Sequence, residues 1–257
     1  MNAMTTTWHA RPSQALPKSK RSAWVAAKAL EWLLLSALPL AVLAGLKPWL
    51  LNCWQAIFTW WSVPLGLSVN SVLNDSHSAI TWMALSDGSF APSNTHLFWS
   101  FSGVASIWLL SGFFSDRFYP LRTTLRALSL IHLSACLFFI WAPASFPYSI
   151  SKHLQALMDL GYGFMWVIPP MLALGWGLLR VPIWQKILAP CGVLAYFALM
   201  LPHKLLLQAW LLEQLSILFM PVLFLCFGNL LDLWIFVALY AWLASEVPAP
   251  TSSLRSA

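Results

Sequence analysis

The sequence predicts an all-α polytopic integral membrane protein, and three observations carry that prediction. Hydrophobic residues make up 60% of the 257 and charged residues only 9%, so the polar shell that a water-soluble domain needs cannot be built. Apolar runs recur between short polar connections, the pattern of hydrocarbon-spanning helices of about 20 residues. The bases behind the net charge of +6 gather at the ends of these runs and not on one face interleaved with stacking aromatics, which marks topology and excludes nucleic acid as a partner. The expected architecture is about seven transmembrane helices, one interfacial helix and a small extracytoplasmic segment.

Residues 1–22 read as a basic cytoplasmic tail, in which Arg11, Lys18, Lys20 and Arg21 stand among Thr and Pro without enough apolar surface to fold. A secretory signal is the rival reading. The following run, 23–46, is longer than a signal's apolar core and no small-residue cleavage site follows it, so it is expected to remain as the first span. Lys28 and Glu31 lie three apart near its start and can pair on one helical face.

Segment 47–95 is expected outside the cytoplasm. After Lys47 and Pro48, the polar residues Asn52, Gln55, Thr59 and Ser62 recur every three or four positions among Trp49, Trp54, Trp60 and Trp61, which is a helical period. The stretch is short before Pro64 and rich in Trp, so it predicts a helix lying on the outer membrane surface. An interfacial helix facing water usually carries bases on its polar side. A neutral stripe of Asn52, Gln55, Thr59 and Ser62 is therefore assigned to partner binding. Residues 68–95 lack Lys and Arg altogether; Ile80, Trp82 and Ala84 alternate before Asp87 and Gly88, which predicts a short hairpin, and Asn74 to Ser76 form a glycosylation acceptor pattern.

Residues 96–245 are expected to form the helical bundle. His96 to Phe114 is the second span, followed by a cytoplasmic connection carrying Arg117, Arg122 and Arg126, and Leu125 to Trp141 returns outward. An outer loop holds Lys152, His153 and Asp159, with a surface helix expected from Ser149 to Leu160. Tyr162 to Leu179 re-enters; Pro169 and Pro170 near its middle should kink it, while Gly161, Gly163, Gly175 and Gly177 permit close helix approach. Arg180 and Lys186 mark the next cytoplasmic turn, so ten of the fourteen bases fall on the amino-terminal side. The apolar sequence from Ile187 to Ala244 suits three short spans, Ile187–Pro202, Leu206–Phe227 and Leu230–Ala244, with two long tilted spans as the alternative. Residues 246–257 read as a disordered tail.

Catalytic constellations are missing. Cys53, Cys136, Cys191 and Cys226 are widely spaced in apolar surroundings and read as buried small hydrophobes. His132 and Cys136, four apart, share a helical face, but no carboxylate or second His lies within a turn, and neither a metal nor any other cofactor is expected. Eleven residues separate Cys191 from His203, roughly 18 Å along a helix, too far for a thiol and its base. The chain carries no GxSxG, HExxH or P-loop pattern. What remains is an intramembrane polar set of His132, Glu213 and Asp232, costly in hydrocarbon and hence a candidate site for proton or ion coupling.

The run HLQALMDLGYGFMWVIPPMLALGWGLL, residues 153–179, resembles the Gly-Tyr span with central Pro of the small membrane protein family associated with exosortase H. The likeness extends over residues 30–180 and includes the Trp-rich stretch and the base-free outer segment; the apolar region at the carboxy end departs from it. The resemblance implies a bacterial inner-membrane protein, amino terminus in the cytoplasm, that partners an exosortase-type transpeptidase without catalysing anything itself. The expected partners are thus the lipid bilayer and another integral membrane protein. A small-molecule or ion transporter using Glu213 and Asp232 is the competing expectation.

Overall fold

The computed structural model describes residues 18–67, 92–146, 149–178 and 181–246. The tail before Lys18, the expected hairpin at 80–88, the glycosylation pattern, Arg180 and the carboxy-terminal tail lie outside the described residues. Among the described residues the regular structure is entirely helical. The elements are α1 (Lys18–Leu65), α2 (Asn94–Gly112), α3 (Tyr119–Trp141), α4 (Ile150–Leu178), α5 (Ile183–Gln214), α6 (Met220–Phe227) and α7 (Asn229–Ser245). Five stretches are long and apolar enough to cross a membrane: Val25–Leu65, Asp116–Trp141, Ile150–Trp176, Ile183–Gln214 and Ile217–Ser245. The chain is an all-α membrane protein. Helix α2, at the place expected for the second span, is 19 residues long and is not among these five.

The break expected at Lys47 and Pro48 does not occur, because α1 runs unbroken for 48 residues with Pro39, Pro48 and Pro64 inside it. A proline removes one backbone donor, and in a helix of this length the flanking turns hold the axis together. The apolar part, Val25–Leu65, is 41 residues or about 60 Å, roughly twice the hydrocarbon thickness of a bilayer. One seam of α1, Leu35, Leu43, Leu50, Trp54 and Phe58, is buried. It packs against α4 and α5, and these three helices make most of the core.

The surface helix expected at 149–160 is instead the opening of α4. Leu154, Leu157, Met158, Met165, Ile168 and Leu172 recur at spacings of three, four and seven and are all buried, so the core-facing stripe begins well before Tyr162. Mixed charge in Lys152, His153 and Asp159 suggests a loop, but Lys152 and Asp159 are exposed beside that stripe and leave it continuous, while His153 is buried within it. Pro169 and Pro170 lie inside the helix, the first buried and the second half-buried.

The apolar sequence after Arg180 forms two long stretches and not three. Helix α5 passes straight through Pro202 and Lys204; the second stretch is divided only at Gly228 into α6 and α7. Glycine sets the close approaches. A side chain at Gly161 would collide with Leu201 of α5, and a Cβ at Gly175 would sit 2.6 Å from Tyr240 Oη of α7. Lipid tails are as apolar as leucine, so such contacts and interhelical hydrogen bonds supply most of the cohesion. At Gly163, by contrast, a Cβ meets nothing within 4 Å.

Helices α2 and α3 form a hairpin. Ser93 caps α2 by accepting from the His96 amide at 3.2 Å. At the other end Arg126 donates from Nε to Ser111 Oγ at 2.8 Å and lies over the Trp108 ring, 5.1 Å from its centroid. The hairpin joins the rest of the bundle chiefly through α6 and the 3-10 turn Ile217–Phe219 before it.

Candidate functional site: a buried polar cluster and an open polar stripe

Helix α5 carries Lys204 and Gln208 one turn apart on one face. Gln208 is fully buried, and its amide is used at both ends. Nε2 donates to the Phe227 carbonyl at 3.1 Å, while Oε1 accepts from His153 Nε2 of α4 at 3.3 Å. Phe227 ends α6, where the helix ladder fails at Gly228 (φ −84°, ψ −132°). A carbonyl freed by a helix break in a membrane must find a donor inside the protein, and Gln208 supplies it. The His153 ring, 4% exposed, also rests near Phe224 of α6, centroids 5.7 Å apart.

One turn before Gln208, Lys204 Nζ lies 2.6 Å from Asp232 Oδ2 in the first turn of α7, both side chains at most 10% exposed. A lysine, a carboxylate, an imidazole and an amide from α4, α5 and α7 thus meet at the α6–α7 break. Arranged this way, the carboxylate is neutralised by its own chain, and the donors and acceptors around the break are matched.

Of the residues the sequence singles out, only Asp232 belongs to this cluster. Glu213 sits half-buried in the last turn of α5, nine residues beyond Lys204. His132 is buried on α3, where its ring stacks on Phe219 at 4.5 Å. Cys136, one turn on, is completely buried. The three candidates therefore occupy α3, α5 and α7 with different neighbours. His153 and Gln208 escape a reading of the sequence. Their signals are a histidine in register with the Leu154–Leu157–Met158 stripe, and an amide four residues after a lysine inside an apolar run.

A second ionic tie joins α1 to α5. Glu31 Oε2 accepts from Lys28 Nζ at 2.6 Å, as its spacing predicts, and Oε1 accepts from the buried Lys186 Nζ at 2.5 Å. Lys28, Glu31 and Lys186 therefore stand at one end of the bundle, and α1 and α5 run in the same direction.

The stripe on α1 lies elsewhere. Trp54, 1% exposed, donates from Nε1 to the Ala198 carbonyl of α5 at 2.7 Å and meets the Tyr162 ring edge-on at 6.2 Å, fixing which face of α1 points inward. At 100° per residue, Asn52, Gln55, Thr59 and Ser62 centre roughly 120° around the helix from that seam. Asn52 and Thr59 are exposed, Gln55 and Ser62 half-buried. The Thr59 and Ser62 hydroxyls donate only to carbonyls of their own helix, Gln55 O and Thr59 O, each at 2.9 Å. With Ala56, Trp60, Trp61, Val63 and Pro64, three members of the stripe, Asn52, Gln55 and Thr59, line an open groove.

Among the described residues, no group of three His, Cys, Asp or Glu side chains lies close enough to hold a metal ion. His203 donates from Nδ1 to the Leu199 carbonyl at 2.7 Å and lies edge-on to Trp61, while Cys191 is exposed on the same helix. No family model, curated protein or solved structure matches the chain.

Proposed function

We propose that this chain is a non-catalytic accessory subunit of a bacterial inner-membrane complex, docking another integral membrane protein along the polar stripe of α1. One observation carries the reading. Asn52, Gln55 and Thr59, continued by the half-buried Ser62, form a neutral hydrogen-bonding face on the side of α1 away from its packed seam, and the first three line a groove built from α1 residues alone. Uncharged amides facing lipid alone leave donors and acceptors unmatched, whereas across a helix interface each contributes about 0.6 to 2 kcal/mol.

Topology follows from the same reading. The amino terminus is cytoplasmic, which places Lys28, Glu31 and Lys186 at the inner end of the bundle. Five apolar helices and α2 then make six crossings, and because Trp54 meets Ala198 midway along α5, the polar stripe of α1 lies at the depth of the middle turns of α5. The resemblance over residues 30–180 points to an exosortase-type transpeptidase as the partner.

Replacing Asn52 and Gln55 together by Leu tests the docking face. The variant should insert and fold normally yet lose the partner that co-purifies with the parent in mild detergent. An intact complex would remove the reading.

The buried cluster favours a second reading, transport of an ion or small molecule, since broken helices lined by polar groups are a transporter device. It rests on Asp232, His153 and Gln208 around the α6–α7 break. Neutralising Asp232 and Glu213 together separates the two: loss of pathway activity at normal protein level favours transport, and retained activity favours the accessory role.

A further inference from the structure

Between the first half of α5 and the last turns of α7 runs a groove of about 490 Å³, floored by Trp176 of α4 and Val193. Its chemistry changes along its length. Trp184, Gln185, Trp242 and Glu246 stand at one end; Leu188, Ala189, Leu239 and Leu243 line the middle; Tyr196 closes the far end. The polar end adjoins Lys186, so it coincides with the bundle end that carries the Glu31 tie. From Gln185 to Tyr196 the groove follows α5 for about 17 Å, close to the roughly 15 Å of one leaflet's hydrocarbon. Trp184 and Trp242 are 57% and 60% exposed at the polar end, the placement of tryptophans at a membrane–water boundary.

Charge defines what sits above that boundary. Among the described residues Glu246 makes no ion pair and is the only charged residue lining the groove, where it is exposed. It caps the carboxy end of α7, where the unpaired carbonyls add negative potential. Lys186, next to Gln185, is buried and already engaged by Glu31. The site therefore offers a one-leaflet apolar slot with a cation-seeking mouth.

We propose that this groove binds a zwitterionic glycerophospholipid bearing a primary ammonium, with one acyl chain along α5 and α7 and the ammonium at the Glu246 carboxylate. The proposal is independent of the docking role of α1.

Gly192 provides the test, because it lines the groove and a Cβ there meets nothing within 4 Å. Gly192→Leu should fill the slot while leaving the helices in place. The full chain, delipidated in mild detergent, is given equimolar phosphatidylethanolamine and phosphatidylglycerol with identical acyl chains, and retained lipid is read by native mass spectrometry. The parent should retain the ethanolamine lipid in preference, Gly192→Leu should lose it, and Glu246→Gln should bind both lipids alike. Equal retention of the two lipids by the parent overturns the proposal, as does full ethanolamine-lipid retention by a folded Gly192→Leu. Glu246 is a surface residue at a helix end, so its variant remains decisive even if Gly192→Leu does not fold; an unchanged preference there also overturns the proposal.

Discussion

Lys204 and Asp232, 28 positions apart in sequence, hold their charged atoms 2.6 Å apart between α5 and α7 with both side chains almost wholly enclosed. A charge left alone in such a place is expensive, and a matched pair of apolar residues is not. Asp232→Asn or Lys204→Met should each destabilise the protein by about 3 to 5 kcal/mol. The double change Lys204→Met with Asp232→Leu should recover most of that loss. Reversible unfolding in mixed micelles measures both. Additive losses in the double variant would mean that the two residues do not form a pair in the membrane.

This pair also explains where the sequence is hard to read. A lysine two residues after Pro202 suggests a helix end and hence three short spans after Arg180. Its neutralisation depends on Asp232, a contact no local pattern announces, and with it α5 continues through both residues. The Lys28–Glu31 pair is legible because three residues separate its members on one helix; the arrival of Lys186 on the same carboxylate is not, since it comes from 155 positions away. The amphipathic stripe of α1 is likewise visible as a period, whereas the continuity of α1 through Pro48 requires its packing against α4 and α5. His153 is easily misplaced because its charged neighbours outweigh the apolar stripe it belongs to. Gln208 carries no charge and stands out from its leucines only once Phe227 and His153 are seen on either side of it.

Glycine substitutions should separate backbone from side-chain crowding. A Cβ at Gly228 would overlap the Phe224 carbonyl, a backbone atom that cannot turn aside, and would press Leu157 Cδ2 at 3.1 Å. At Gly161 the obstacle is the end of the Leu201 side chain, which can change rotamer. Gly228→Ala should therefore cost about 1 to 3 kcal/mol or more and loosen the α6–α7 break. Gly161→Ala should cost less, and Gly192→Ala almost nothing. Thermal unfolding in one detergent ranks the three; Gly228→Ala no worse than Gly192→Ala would contradict the geometry at the break.

The two tryptophans on either side of α1 test its orientation and, through it, which face is free for a partner. Trp54 is buried, hydrogen-bonded to Ala198 and packed on Tyr162, so Trp54→Ala removes a large side chain from a filled site and leaves a carbonyl without its donor. Core truncations of this size cost about 3 to 5 kcal/mol. Trp60, 73% exposed beside the polar stripe, has its nearest described ring in its neighbour Trp61, and Trp60→Ala should change stability by less than about 0.5 kcal/mol. Trp54→Phe distinguishes volume from hydrogen bonding: it keeps most of the ring and loses the N–H, for roughly 1 kcal/mol. Unfolding of the isolated protein reads all three. A docking face predicts one further difference, because Trp60→Ala should weaken co-purification of a partner while the isolated subunit stays as stable as the parent. If Trp60→Ala instead destabilises the isolated protein as much as Trp54→Ala, α1 is turned the other way and the stripe is packed within this chain.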